Sequence, residues 1–189
     1  MLKASDNELQ RDKLCLFSGY VCCDAILCVG KSEVGVLQCV CVPTVQTNTG
    51  VQYCDACFFC LKIIEWYDTL VLVVRGKPVS WLHYLHHMTT AIITGLNQDS
   101  AMASMTVLTN TFVHALMYAY YCRPWRAVRR WVTRIQIIQH AACVASGIYV
   151  LATADCRRAN STLAILAGLA GYIMYLTMFL NFYFKSRTQ

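Results

Sequence analysis

Three histidines stand close together in a segment that carries no Asp, Glu, Lys or Arg from position 79 to position 98. His83, His86 and His87 are spaced i, i+3 and i+4, so on a helix the three imidazoles share one face. Polar side chains at membrane depth are costly and usually functional. Neutral imidazole suits nucleophilic and general-base catalysis, and a ring nitrogen can carry an acyl group as an acyl-imidazole. The segment therefore predicts a site of nucleophilic chemistry.

The elements that position these histidines are expected to be membrane helices. Of the 189 residues, 57% are hydrophobic and 14% are charged, and only three are prolines, which is the composition of a membrane protein. A helix needs roughly 20 residues to cross a bilayer. Five segments have about this length, namely residues 54–74, 79–98, 100–122, 135–154 and 159–184. We therefore expect an all-α, polytopic transmembrane helix bundle of five spans.

Basic residues are distributed unevenly between the two sides of such a bundle. With five crossings, nine Lys and Arg residues fall on one side, within residues 75–77, 123–134 and 185–187. The other side has two, Arg157 and Arg158. By the positive-inside rule the first side is cytoplasmic. The C-terminus is then predicted to face the cytoplasm.

Polar residues of four predicted spans lie at similar depths. His86 is about 7.5 Å inside its span and His114 is about 10 Å inside the next, at a rise of ~1.5 Å per residue. Asp68, Gln136, Gln139 and His140 lie near the same end of their spans, and Lys62, Glu65, Asn110 and Tyr118 are spaced to face inward. Their convergence in the cytoplasmic half of the membrane suits a polar head group on an apolar chain. The alternative for Gln136 and Gln139 is hydrogen bonding between helices.

A metal centre is the main alternative for the histidines, because the pattern H-x-x-H-H also occurs in membrane di-iron desaturases and hydroxylases. The chain has five histidines, too few for the three histidine boxes of such a centre. Cys54, Cys57 and Cys60 are spaced by three, but no histidine or further cysteine pair lies nearby to complete a tetrahedral site. We expect no metal, and we expect the cysteines to be small apolar fillers rather than a disulfide framework.

The first 50 residues form a separate, cysteine-rich segment, followed by a membrane domain over residues 51–189. Nine of the twelve cysteines lie in the first 60 residues. Residues 14–30 and 34–45 are weak membrane segments, since Asp24 interrupts the first and Pro43 the second. The acidic opening lacks the basic region of a signal peptide.

Four motifs follow one another between residues 61 and 139. Residues 61–69 (LKIIEWYDT) match K-x-x-E-x-x-D-T, and residues 82–87 (LHYLHH) match H-x-x-H-H. Residues 110–121 (NTFVHALMYAYY) match N-x-x-x-H-x-x-M-Y-x-Y-Y, and residues 133–139 (TRIQIIQ) match T-x-x-Q-x-x-Q. Through these motifs the chain resembles the ELO family of very-long-chain fatty acid elongases, the condensing enzymes of the endoplasmic reticulum. Family members have seven spans, six of which enclose the acyl chain, so the chain is interpreted as an N-terminally truncated or divergent member.

The resemblance implies that acyl-CoA and malonyl-CoA condense to 3-oxoacyl-CoA, CoA and carbon dioxide, without a cofactor. It implies that His86 carries the acyl chain, that His114 assists it, and that His83 and His87 orient the site. The residues it implies for substrate binding or its support are Lys62, Glu65, Asp68, Asn110, Tyr118, Gln136 and Gln139. The arginines within residues 123–134 suit the CoA phosphates, although they serve equally well as a topology signal.

The same resemblance implies a multi-pass protein of the endoplasmic reticulum membrane that contacts lipid and no nucleic acid. Its implied protein partners are the ketoreductase, dehydratase and enoyl reductase of the elongation cycle, or a second copy of the chain. The alternative interpretation is a non-catalytic, elongase-like membrane subunit or an inactive fragment.

Overall fold

The computed structural model describes residues 40–41, 49–74, 76–97, 100–122 and 126–185. Within these ranges the regular elements are all helices: α1 (Thr49–Val74), α2 (Trp81–Asn97), α3 (Ala101–Cys122), α4 (Arg126–Ala152), α5 (Ala154–Ala159) and α6 (Thr162–Lys185). Five of the six are long, and each overlaps one of the five predicted spans. The boundary at residue 50 stays a prediction, because most of residues 1–48 lies outside the described ranges.

The long helices close into a ring. In order around the ring, α1 packs on α2, α2 on α6, α6 on α4, α4 on α3, and α3 on α1. We call the end where α1 finishes and α2 begins the upper end, and the end where α2 finishes and α3 begins the lower end. Because consecutive long helices run in opposite directions, all cytoplasmic loops of the predicted topology lie at the upper end.

Two of the long helices are long and apolar enough to cross a membrane by length and composition alone. They are the segment Trp131–Ala152 of α4 and the whole of α6, Thr162–Lys185. The predicted all-α fold is confirmed, and the chain forms a membrane helix bundle of the kind that its sequence indicates.

The sharp end of α1 follows from Gly76, which has a φ of +62°. The Gly76 amide donates to Val73 O, and the Lys77 amide donates to Leu72 O, each at 2.9 Å. This pair of bonds is a Schellman motif, in which glycine adopts the left-handed conformation that other residues avoid. Pro78 follows and prevents the helix from resuming. The turn therefore returns the chain directly into the histidine-bearing helix.

The lower end is tied together by Asn160, which follows α5. Its Oδ1 accepts a hydrogen bond from the Ala101 amide at the start of α3, at 2.8 Å. Its Nδ2 donates to Cys156 O at 2.8 Å and to Cys41 O at 3.1 Å. One side chain thus joins three segments that are remote in sequence.

A disulfide joins Cys41 to Cys156 of α5, with a Cα–Cα distance of 4.7 Å. The expectation that the cysteines serve only as fillers is therefore wrong for this pair. The two residues meet because Asn160 holds the backbone of Cys41 beside α5. Cys57 and Cys60 are free thiols on α1, as the sequence predicts.

Candidate active site

A buried ion pair links α1 to α3. Lys62 Nζ donates to Glu65 Oε1 and to Asn110 Oδ1, both at 2.6 Å, and its side chain is 2% exposed. The ammonium also lies 4.8 Å from the centre of the Phe58 ring. Burying a charge is costly unless it is paired and hydrogen-bonded, and here both conditions hold. The motif K-x-x-E therefore fixes one wall of the site by pairing with the asparagine of the next motif.

Glu65 also faces two histidines from neighbouring helices. His114 Nδ1 of α3 lies 3.2 Å from Glu65 Oε1, and His87 Nδ1 of α2 lies 3.8 Å from Glu65 Oε2. All three side chains are buried. The carboxylate thus sits where three helices meet, and it can orient both imidazoles.

The three histidines of α2 have different neighbours. His83 Nε2 lies 3.1 Å from Thr69 Oγ1 of α1, and the His83 ring stacks on His87 at 4.2 Å. Trp66 Nε1 donates to the backbone oxygen of His87 at 2.7 Å. The upper half of α2 is therefore held against α1 by side-chain and backbone contacts.

His86 faces the interior of the ring instead. Its imidazole has ring neighbours on three sides, with centroid distances of 5.8 Å to His140, 4.9 Å to Tyr175 and 5.9 Å to Phe179. His86 is buried. It is the member of the triplet that lines an internal cavity.

His140 of α4 stands opposite His86. Its Nδ1 lies 2.7 Å from Gln136 O, and since a carbonyl oxygen only accepts, Nδ1 carries the proton of this bond. Nε2 of the neutral ring then keeps its lone pair. Two imidazoles from different helices therefore line the same space.

We call this partly open space the upper chamber. Its polar lining comes from all five long helices and comprises Lys62, His86, Thr90, Thr94, Thr106, Asn110, His140, Tyr172 and Tyr175. Phe58 and Ile93 complete it. The chamber is therefore polar where the motifs meet and bounded by aromatic rings on the side of α6.

A second, partly open space, the lower chamber, lies toward the lower end. It shares Phe58, Ile93, Thr94, Thr106 and Tyr172 with the upper chamber. Its own lining residues are Asp55, Asn97, Met102, Ala103, Val107 and Gly168. The shared residues form a junction between the two chambers. The chambers therefore follow one another along the axis of the helix ring, from the upper end toward the lower end.

The predicted site residues are only partly brought together. Lys62, His86 and Asn110 line the upper chamber, and Glu65, His83, His87 and His114 form the network beside it. Gln136 Nε2 reaches Met117 Sδ at 3.9 Å, and Gln139 is buried with Nε2 unpartnered among the described residues. The side chains of Asp68 and Tyr118 lie outside the described residues, as do those of the arginines at 123, 126, 129 and 130.

Three further residues belong to the site: His140, Tyr175 and Phe179. Tyr175 and Phe179 lie on α6, the most apolar helix, where the sequence pattern does not indicate catalytic or binding residues. A signal was present nonetheless, because Tyr172, Tyr175 and Phe179 are spaced i, i+3 and i+7 and so share one helix face. Among the described residues, no three of His, Cys, Asp and Glu are grouped to hold a metal ion.

Arg134 is the arginine of the basic segment, residues 123–134, whose side chain the structure describes. Its Nε donates to Tyr183 OH of α6 at 3.3 Å, and its guanidinium lies 5.0 Å from the Trp131 ring. These contacts hold the side chain near the upper end of the ring, above the upper chamber.

The ELO family profile, described as the GNS1/SUR4 family, matches residues 13–189. The chain belongs to the ELO family. The family match thus includes every helix of the ring and both chambers. It also includes part of the segment 1–50, which has no counterpart among the four motifs.

Several relatives in the ELO family bear names of fatty acid elongases. The chain is 32% identical over 158 residues to long chain fatty acid elongase 2 of Caenorhabditis elegans, covering 76% of the chain and 57% of the relative. It is 30% identical over 135 residues to fatty acid elongase A of Dictyostelium discoideum, covering 67% and 49%. It is 27% identical over 156 residues to human very long chain fatty acid elongase 3, covering 78% and 57%. The chain thus spans about half the length of these curated relatives. No solved structure matches it significantly.

Proposed function

We propose that the chain is a condensing enzyme of fatty acid elongation, which joins an acyl-CoA to malonyl-CoA and releases 3-oxoacyl-CoA, CoA and carbon dioxide. The observation that carries the proposal is the position of His86, at the polar end of a cavity that continues into a second chamber. A thioester head group fits beside His86, and its acyl chain extends toward the lower end. The names of the relatives support the same reaction class.

The first step is transfer of the acyl group to His86. The lone pair of a neutral imidazole nitrogen attacks the thioester carbonyl carbon, the C–S bond breaks, and CoA leaves with the bonding electrons. The proton lost from the imidazole neutralises the CoA thiolate. Lys62 and Asn110 line the same chamber and supply the polar contacts that hold the head group.

The second step forms the new carbon–carbon bond. The bond between the carboxylate and the methylene of malonyl-CoA breaks, carbon dioxide leaves, and the electron pair remains as an enolate. The enolate carbon attacks the acyl carbonyl, the C–N bond to His86 breaks, and the leaving ring nitrogen takes up a proton from water, which restores the neutral imidazole. Hydrogen-bond donors placed at a developing negative charge are an effective form of catalysis. His114, which lies beside Glu65, serves with His83 and His87 to position these groups.

The reaction needs no cofactor, since acyl-CoA, malonyl-CoA and one proton from water supply all of the atoms and electrons. We further propose that the protein resides in the endoplasmic reticulum membrane with the upper end in the cytoplasm. The disulfide between Cys41 and Cys156 supports this orientation, because disulfides persist in oxidising compartments and this one lies at the lower end. Arg134 then faces the side from which CoA arrives. The other enzymes of the elongation cycle are the proposed partners.

The test measures 3-oxoacyl-CoA formed by membranes that contain the protein, from acyl-CoA and labelled malonyl-CoA. We expect product from the wild type and a loss of at least about 10³-fold for His86→Ala, as for other covalent nucleophiles. Tyr84→Phe is the matched control, because Tyr84 is an exposed residue of the same helix. Full activity of His86→Ala contradicts the acyl-imidazole step.

The same membranes distinguish the enzyme from a non-catalytic, elongase-like subunit. Co-expression with a full-length elongase provides the comparison. A subunit alters the output of that enzyme and makes no product by itself, whereas an enzyme makes its own product.

A further inference from the structure

The lower chamber contains polar side chains at the place where the end of an acyl chain would lie. Asp55 of α1, with Thr94 and Asn97 of α2, lines it together with apolar residues. Asp55 is 5% exposed and Asn97 is 7% exposed. A methyl end offers these groups no hydrogen bond, whereas a polar end group can add one.

These groups lie far from the reacting end. Asn97 follows His86 by eleven residues, which places it about 16 Å further along α2 at ~1.5 Å per residue. Asp55 precedes Lys62 by seven residues on α1, about 10 Å by the same rise. Phe58, Ile93 and Tyr172 line both chambers. A chain bound through its thioester near His86 therefore presents its distal end to the polar groups.

The arrangement of donors and acceptors suits one kind of end group. Asn97 Nδ2 donates one hydrogen to Ile93 O, and the amide nitrogen has a second. The carboxyl oxygens of Asp55 accept hydrogen bonds, and the Thr94 hydroxyl can both donate and accept. A hydroxyl group is complementary to this set, because it donates to Asp55 or Thr94 and accepts from Asn97. A terminal carboxylate is disfavoured, because burying its charge is costly without a cationic partner and the described lining residues include no Lys, Arg or His.

We propose that the lower chamber is a subsite for a hydroxyl group at or near the distal end of the acyl chain. The substrate class is thus hydroxylated fatty acyl-CoA rather than acyl-CoA with a plain methyl end. This proposal rests on the proposed function for the location of the thioester.

The test compares matched pairs of acyl-CoA, with and without a terminal hydroxyl, over a ladder of chain lengths in the condensation assay. At the length that reaches the lower chamber, we expect kcat/KM to be about tenfold higher for the hydroxylated member, equivalent to ~1.4 kcal/mol, or one net hydrogen bond. A terminal carboxylate of the same length should be condensed less well than either. Higher kcat/KM for the unsubstituted chain at every length overturns the proposal.

Two variants locate the effect in the lower chamber. Asn97→Leu and Thr94→Val remove the polar groups with little change of shape, and each should reduce the ratio between the paired substrates to about one. Met102→Leu is the matched control, because Met102 lines the same chamber with an apolar side chain. It should keep the tenfold ratio. An unchanged ratio in Thr94→Val and in a folded Asn97→Leu protein contradicts the assignment.

Binding separates a failure of this proposal from a failure of the proposed function. If neither member of a pair is condensed, the proposed activity is wrong. The thermal stability of the purified, detergent-solubilised protein then tests the subsite, with each acyl-CoA added in turn. A larger increase of Tm with the hydroxylated chain supports the subsite, and equal increases overturn it.

Discussion

Gly171 of α6 faces Ile93 of α2, the residue at the junction of the two chambers. A Cβ at this position would lie 2.5 Å from Ile93 Cδ1, and the next nearest atoms are at 3.7 and 3.9 Å. Carbon atoms pack at about 3.5–4.0 Å, so Gly171→Ala displaces the Ile93 methyl by roughly 1–1.5 Å. The clash involves the end of a flexible side chain, which places its cost to folding near the lower end of the ~1–3 kcal/mol typical of overpacking.

The displaced methyl group narrows the path between the chambers, because Ile93 lines both of them. An acyl chain long enough to pass Ile93 then loses contacts or meets the same overpacking. A cost of ~1.4 kcal/mol corresponds to a tenfold loss of kcat/KM. Chains that end above Ile93 should keep their wild-type kcat/KM.

The assay is the condensation reaction with a ladder of acyl-CoA lengths, read as kcat/KM against length. Gly95→Ala is the control, since its added Cβ meets Phe59 Cε2 at 3.2 Å and Phe59 lines neither chamber. The control should leave the length profile in place. An unchanged profile in Gly171→Ala, or an equal loss in the control, refutes the position of the acyl path.

Enlarging Ala103, which lines the lower chamber, should also shorten the longest product, so Ala103→Trp is expected to shift the product distribution without abolishing condensation. A distribution identical to the wild type would mean that the path ends elsewhere. Replacing Lys62 by Met leaves Glu65 buried without its cation, which we expect to destabilise the fold by about 3–5 kcal/mol. The double variant Lys62→Met, Glu65→Gln should have a higher thermal unfolding temperature than the single one, and the reverse order contradicts the pairing. A protein tagged internally, with its C-terminus native, is expected in the endoplasmic reticulum by fluorescence microscopy. Accumulation at the plasma membrane argues against that location.

The helices could be predicted from the sequence because long apolar segments and the spacing of polar residues are local properties. The spans predicted at 79–98 and 100–122 differ from α2 and α3 by at most two residues. The predicted start of α4 is less accurate, since the helix begins at Arg126 rather than at residue 135. Its first turns carry arginines, which a search for apolar segments leaves out.

The assignment of roles within the histidine triplet needed the tertiary structure. The spacing places the three imidazoles on one broad face of α2. Only the order in which the helices pack shows that this face contacts both α1 and α6. His87 therefore turns toward Glu65, while His86 lines the upper chamber. Cys41 and Cys156 are 115 residues apart, and sequence alone does not give disulfide connectivity. The roles of Asp68, Tyr118 and the glutamines stay predictions.

Tyr172 OH and Thr106 Oγ1 lie 2.6 Å apart and connect α6 to α3 across the interior of the ring. Both residues line the two chambers. A bound molecule that extends from one chamber into the other therefore passes beside this hydrogen bond. Passage of that molecule requires the hydrogen bond between Tyr172 and Thr106 to break and the Tyr172 side chain to rotate. Both are motions of single residues. Side-chain rotations are faster than collective helix movements by orders of magnitude. A bound molecule can therefore move between the two chambers, along the axis of the helix ring, without separation of the helices.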